Sequence, residues 1–165
     1  YRDGTIGQAK KHLEATAHTL NEKLAKELNG AAYVSVNKGL VTRSSAVIPI
    51  ISLYLSILFK VMKKKGTHEG CIEQMERLFA ERLYTGENAS AGDVPVDQEN
   101  RIRVDDWEMQ DDVQAEVDKF MAQVNNENIA EICDLEGYKH DFYATNGFDV
   151  AGVDYSCDVP RMDQI

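Results

Sequence analysis

The apolar positions of the first thirty residues recur in steps of three and four, at Ile6, Ala9, Leu13, Ala17, Leu20, Leu24 and Leu28. That is the period of an α-helix with one apolar face, and it predicts a helix from Thr5 onward with that face buried. Thr5 and Gln8 have the spacing of a capping box at its start, and Asn29-Gly30 supplies a left-handed stop at its end. The pattern changes at Ala31: the stretch Ala31 to Asn37 is short and β-prone and leads to Gly39 and Thr42, which predicts a strand emptying into a loop. Residues 44–59 carry no charge, but such a run is shorter than the roughly 20 residues needed to cross hydrocarbon. Pro49, with Ser45, Ser52 and Ser56, fits instead a core helix that opens near Pro49 and closes between Lys60 and Gly66. No membrane span is expected.

Helical spacing returns over residues 67–84, with Cys71, Ile72, Met75, Leu78 and Phe79 as its apolar positions, and over 106–124, with Trp107, Val113, Val117, Phe120, Met121 and Val124. Between them, Thr85 to Asn100 is rich in Gly, Asn, Ser and Asp and predicts a surface excursion. Ile102 to Val104 follows as a short strand before an Asp105-Asp106 helix cap. Two short helical stretches, Asn126 to Cys133 and Asp134 to Thr145, precede Gly147 and a polar tail.

With 165 residues, 43% of them apolar, the chain is long enough for one core and is expected to form a single globular unit. Its net charge of -10 argues against a nucleic-acid partner held by a diffuse basic surface. The charge is unevenly spread: residues 1–66 carry 11 Lys/Arg against 4 Asp/Glu, and residues 67–165 carry 7 against 24. The basic end is the better home for an anionic ligand, although solvated helix faces would give the same division. Cys71, Cys133 and Cys157, an odd number at irregular spacing, suit reduced thiols and a cytoplasmic location. The chain opens at Tyr1 without a targeting signal and is expected to be a piece of a longer protein. Metal chemistry is not expected. His68 and Cys71 have no second ligand pair, and Asp97 to Glu108 has Ile102 where a calcium loop needs glycine.

The candidate chemistry lies at the start. A phenol beside an ammonium is a workable proton donor to a developing enolate, because the positive charge draws the phenol down from its usual pKa of about 10. Tyr1 and Lys10 could form such a pair only if the helix between them is broken, since nine helical positions would separate them by about 13 Å along the axis and turn them to opposite faces. Asp3-Gly4-Thr5 supplies a break, leaving Tyr1 on a preceding turn that can fold back over Lys10.

The order of Tyr, Lys, amphipathic helix, strand and loop resembles the second half of a short-chain dehydrogenase, whose strand-end loop lies beside the nicotinamide. The eight residues between Tyr1 and Lys10 depart from the usual three of that group. The segments Tyr1 to Gly7, Val34 to Thr42, His68 to Gln74 and Asn146 to Asp149 closely resemble the trans-2-enoyl-CoA reductase family, which includes a bacterial class of enoyl-acyl-carrier-protein reductases. The resemblance covers essentially the whole chain. It implies a fold of the α/β class: the C-terminal part of a short-chain-dehydrogenase-like Rossmann fold, mostly helical here with one or two strands. Residues 1–66 would be the C-terminal half of the catalytic domain and 67–165 a helical substrate-side extension. It implies reduction by NADH of the trans-2 double bond of an enoyl-CoA or enoyl-acyl-carrier-protein thioester in fatty acid synthesis, by a monomeric full-length enzyme. Tyr1 matches the family's proton donor and Lys10 the lysine that assists it and contacts the cofactor. Gly39, Leu40, Val41 and Thr42 match the loop over the nicotinamide and pyrophosphate. Ile51, Leu55, Phe59 and Tyr138 match positions lining the acyl pocket, although apolar residues at helical spacing also suit a core.

None of the eleven glycines forms a G-x-G-x-x-G or a phosphate-binding loop, so these residues alone are expected to turn over nothing. The C-terminal region shows no flavin fingerprint, and FAD is not expected. Two other readings stay open: a non-catalytic helical interaction module, marked by an exposed apolar patch on the Pro49 to Lys60 helix, and a short-chain dehydrogenase acting on another carbonyl or alcohol.

Overall fold

The computed structural model describes residues 4–83 and 94–158. Seven α-helices, a π-helical turn and two strands are formed in the described residues, and the chain divides into two compact units. One unit comprises Tyr1–Lys38 and Cys71–Met109; the other comprises Gly39–Gly70 and Gln110–Ile165.

The first unit opens with α1, Thr5–Leu28. Its end is the expected one: Asn29 takes φ 50° and closes the helix in the left-handed conformation. Its start differs by a residue. Gly4 is the N-cap with no side-chain cap bond, which places Thr5 inside the first turn, where its hydroxyl does not do the capping that the Thr5-Gln8 spacing suggests. The apolar face also departs from expectation. No residue of α1 is buried: Ile6 and Leu28 are 52% and 73% exposed and Ala17 and Leu24 are only half-buried, so the apolar face stays largely open among the described residues.

After α1, strand β1 (Val34–Val36) pairs in parallel with β2 (Arg101–Arg103), Val34 opposite Arg101 and Val36 opposite Arg103. Helix α4 (Cys71–Arg77) runs into the π-helical turn Leu78–Leu83. Leu78, Ile102 and Val104 form the apolar centre, with Tyr33, Met75, Leu83 and Val94 packed on it.

Two long polar side chains of α4, three positions apart, clamp this sheet. Gln74 accepts from the Lys38 backbone N–H and donates to the Val104 carbonyl, both at 3.1 Å. Arg77 donates to the same carbonyl at 2.7 Å and to Asp106 at 2.8 Å, and its guanidinium lies 4.2 Å from the Trp107 ring centroid. Arg82 adds a second bond to Asp106, and Asp105 accepts from Arg103. These arginines explain why Asp105-Asp106 caps nothing: charge-assisted partners hold both carboxylates, and the next helix begins only at Asp111.

In the second unit, α2 (Arg43–Ala46) precedes α3 (Pro49–Lys65), which starts with proline in its first turn and stops at Gly66, φ 72°. Both ends follow the sequence expectation. Helix α3 is the core of this unit: Leu55, Ile57, Leu58, Phe59, Val61 and Met62 are all buried. Toward its start, Ile50 is exposed and Ile51, Leu53 and Tyr54 are half-buried. Val113 and Val117 of α5 (Asp111–Gln123) are buried as well, while Lys64 and Lys65 at the end of α3 pair with Glu116 and Asp112 of α5. Helices α6 (Ile129–Ile132) and α7 (Leu135–Thr145) complete it. No helix among the described residues is long and apolar enough to cross a membrane.

Candidate functional site

Tyr1 lies outside the described residues, as does the excursion expected from residue 85 as far as residue 93. Lys10 is described: it is exposed in the second turn of α1. The helix begins immediately after Gly4, whose carbonyl accepts from Gln8 N–H at 3.0 Å.

The segment Gly39 to Thr42 follows β1 and is flanked by hydrogen-bonded residues at both ends. Ahead of it, Lys38 is buried and its N–H is held by Gln74. Behind it, Thr42 and Ser45 form a reciprocal capping box on α2: the Thr42 side chain accepts from Ser45 N–H, and Ser45 Oγ accepts from Thr42 N–H at 2.8 Å. Ser45 Oγ also reaches the Leu40 carbonyl at 3.2 Å. Val41 is buried, and its carbonyl accepts from Thr145 Oγ1 of α7 at 3.5 Å. The Thr-x-x-Ser spacing is the sequence sign of this turn; it straddles Arg43, just ahead of the uncharged run.

The four candidate acyl-pocket residues separate into two kinds. Leu55 and Phe59 are core residues, 2% and 1% exposed, and the Phe59 ring meets His68 edge-on with centroids 4.6 Å apart. Ile51 and Tyr138 are half-buried. Tyr138 projects from α7 onto α3, where its hydroxyl lies 3.0 Å from Ser52 Oγ. One turn further along α3, the Ser56 carbonyl accepts from Asp134 N–H at 2.9 Å, and Lys63 pairs with the Asp134 carboxylate at 2.6 Å. Asp134 in turn caps α7 by accepting from Gly137 N–H. Burial pushes the Asp134 carboxyl up, but the bonds from Lys63 and Gly137 outweigh it and hold the group below its usual range. The unit thus brings Tyr138 beside Ser52 of α3, and Thr145 beside Val41.

Among the described residues no group of three His, Cys, Asp or Glu side chains is arranged to hold a metal ion. An open groove of about 610 Å³ is lined by Glu136, Lys139, His140, Tyr143, Phe148 and Asp149; Phe148 and Asp149 belong to the Asn146 to Asp149 segment, and none of the candidate catalytic, cofactor or acyl-pocket residues borders it.

Comparison with known proteins bears on these placements. The family described as trans-2-enoyl-CoA reductase catalytic region matches residues 1–84, and the family described as enoyl reductase FAD binding domain matches 96–159. The chain is 60% identical over 165 residues, all of its length, to the trans-2-enoyl-CoA reductase [NADH] of Treponema denticola, of which it covers 40%. It is 57% identical over 159 residues, 96% of its length, to the enoyl-[acyl-carrier-protein] reductase [NADH] of Cytophaga hutchinsonii, of which it covers 39%. Two solved structures are similar. The Clostridium acetobutulicum trans-2-enoyl-CoA reductase in complex with NAD gives a TM-score of 0.87 at 50% identity, over 97% of this chain and 40% of the other. The Treponema denticola enzyme in complex with NAD gives 0.82 at 59% identity, over 100% of this chain and 40% of the other. The chain therefore spans about two fifths of the length of the relatives it matches.

Proposed function

Because this chain belongs to the trans-2-enoyl-CoA reductase family, we propose that it is part of an enzyme that reduces the trans-2 double bond of enoyl-CoA or enoyl-acyl-carrier-protein thioesters with NADH. The observation that carries this reading is the match of the catalytic-region family to residues 1–84, the stretch that holds Tyr1, Lys10 and the segment after β1. In this reading residues 1–66 belong to a Rossmann-like catalytic domain and 67–165 to a substrate-side extension, in a cytoplasmic, monomeric enzyme of fatty acid synthesis.

A nicotinamide cofactor fits what the described residues offer. Parallel sheets bind ligands beyond the carboxyl ends of their strands, and Gly39 to Thr42 follow the carboxyl end of β1, itself one of a parallel pair. Lys10, Gly39, Leu40, Val41 and Thr42 would hold it, with the lysine ammonium on the ribose. When bound, it supplies a hydride to the β-carbon of the enoyl thioester. Tyr1 then hydrogen-bonds the thioester oxygen as negative charge develops there, a bond that strengthens toward the transition state. The Tyr1 proton neutralises the resulting enolate, and Lys10 stabilises the phenolate left behind. Ile51, Leu55, Phe59 and Tyr138 would wall the acyl chain, which needs an apolar slot with few polar groups.

FAD does not fit in the same way. Residues 96–159 carry 17 Asp/Glu against 4 Lys/Arg, an unfavourable setting for a diphosphate. The space a Cβ would take at Gly137 is already filled by Asp134 and Lys63, so that glycine does not cradle a phosphate. No step is assigned to a flavin.

The test is NADH oxidation with crotonyl-CoA by a protein of the relatives' length carrying this chain. Tyr1→Phe and Lys10→Ala are each expected to cost about a hundredfold or more in kcat, with circular dichroism unchanged. Full activity in Tyr1→Phe would remove the proton donor and the mechanism with it.

A further inference from the structure

Helix α3 turns two serines, four positions apart and so on one face, toward the segment that forms α7. Ser56 takes part through its carbonyl, which accepts from Asp134 N–H. Ser52 takes part through its side chain: Oγ stands 3.0 Å from the Tyr138 hydroxyl and 3.4 Å from the Ala46 carbonyl. A half-buried phenol is costly to leave without a partner, and a bond at its far end also fixes the ring.

The backbone of α7 is anchored without that bond. Asp134 is tied to α3 twice, by Ser56 and by Lys63, and it caps the helix through Gly137 N–H. Tyr138 N–H closes the first turn on the Asp134 carbonyl at 3.0 Å. Deleting the Ser52 hydroxyl therefore leaves α7 docked and releases only the Tyr138 side chain. The geometry points to Ser52 as a positioning residue: we propose that it holds the Tyr138 phenol against α3 and so sets the wall that Tyr138 presents to the enoyl substrate. This rests on the reading above that Tyr138 borders the acyl chain.

The hydroxyl pair can be arranged in either sense. With the Ser52 proton on Ala46, Tyr138 donates to Ser52; with it on Tyr138, the phenol proton is free to meet a polar atom of the substrate. Both senses require Ser52 Oγ, so both make the same prediction for its removal.

The experiment is steady-state kinetics of NADH oxidation with crotonyl-CoA in a protein of the relatives' length carrying this chain, comparing Ser52→Ala, Ser52→Thr, Tyr138→Phe and the Ser52→Ala/Tyr138→Phe pair. Ser52→Ala is expected to raise KM for crotonyl-CoA about three- to tenfold, the worth of one hydrogen bond, with kcat and the KM for NADH unchanged. Ser52→Thr, which keeps the hydroxyl, restores the wild-type value. In the Tyr138→Phe background, Ser52→Ala adds nothing, because the group it positions is gone. An unchanged KM in Ser52→Ala overturns the inference, as does an undiminished rise in the Tyr138→Phe background or a fall in kcat accompanied by lower thermal stability. A wild-type protein inactive with crotonyl-CoA overturns the functional reading, and this inference with it, whereas an active wild type with an indifferent Ser52→Ala overturns the inference alone.

Discussion

Replacing Gly137 by alanine should reverse the sign usually seen for that change in a helix. Gly137 is the third residue of α7, and alanine there would ordinarily gain up to about 1 kcal/mol from propensity. A Cβ at this position meets the Asp134 carboxylate and the Lys63 ammonium. The lysine end is 40% exposed and can move aside. The carboxylate cannot, because its place is set by the bond it accepts from Gly137 N–H. Displacing it loses an N-cap worth about 1 kcal/mol and a partly exposed ion pair worth about 0.5 kcal/mol. Those losses together are about 1.5 kcal/mol, and after the propensity gain they leave a net cost of about 0.5 kcal/mol, about twofold in the local unfolding equilibrium. The decisive assay is a double-mutant cycle on α7 amide hydrogen exchange, with Gly137→Ala made in the wild type and in Asp134→Ala. In the wild type the substitution should speed exchange. In Asp134→Ala it should slow exchange, since only propensity remains. The folded-state pKa of Asp134 is depressed, so its contribution is present above its unfolded pKa and lost as pH falls through the folded value; the penalty of Gly137→Ala should shrink along the same limb. Equal effects of Gly137→Ala in both backgrounds would refute the reasoning.

Two further outcomes follow from the first unit and from the paired carboxylates. Gln74→Leu, at a fully buried position, removes the acceptor of Lys38 N–H and should destabilise by about 1–3 kcal/mol; urea unfolding followed by the fluorescence of Trp107, the single tryptophan, would show it, and an unchanged midpoint would rule it out. Asp97 is pushed up by burial but held lower by Arg101 and the Glu99 N–H, and Asp112 is lowered by Lys65, so both sit below the ordinary 3.8. Depressed carboxyl pKa values make stability independent of these groups above about pH 5 and remove it progressively below about pH 4; unfolding midpoints that stay level down to pH 2.5 would contradict this.

The elements that sequence alone gave away are those whose signals are local. The left-handed stop at Asn29, the proline entry at Pro49 and the glycine exit at Gly66 each follow from the backbone preference of one residue. What sequence concealed depends on distant partners. Asp105-Asp106 has the composition of a cap, but Arg77, Arg82 and Arg103 hold those carboxylates. Ser52 looks like an indifferent helix residue because its partner, Tyr138, lies 86 positions away. The apolar stripe of α1 correctly announced a helix, yet periodicity carries no information about what covers the stripe. Of the candidate site, the segment after β1 and the pairing of α3 with Tyr138 have described surroundings, whereas the partnership of Tyr1 and Lys10 came from family resemblance and chemical reasoning.

The interleaving of the two units has a consequence for how the chain is assembled in time. Strand β1 ends at Val36 and its parallel partner begins at Arg101, so 64 residues, 37–100, must be threaded between the two halves of one small sheet. Closing a loop of that length is costly in entropy before any pairing is gained. The stretch contains α3, rich in local helical contacts that form quickly. Helix α3 should therefore take shape while β1 still waits for its partner. On a ribosome, β1 cannot pair with β2 until residue 103 has emerged, and a nick anywhere in that span would turn this strand pairing from an intramolecular step into a second-order one.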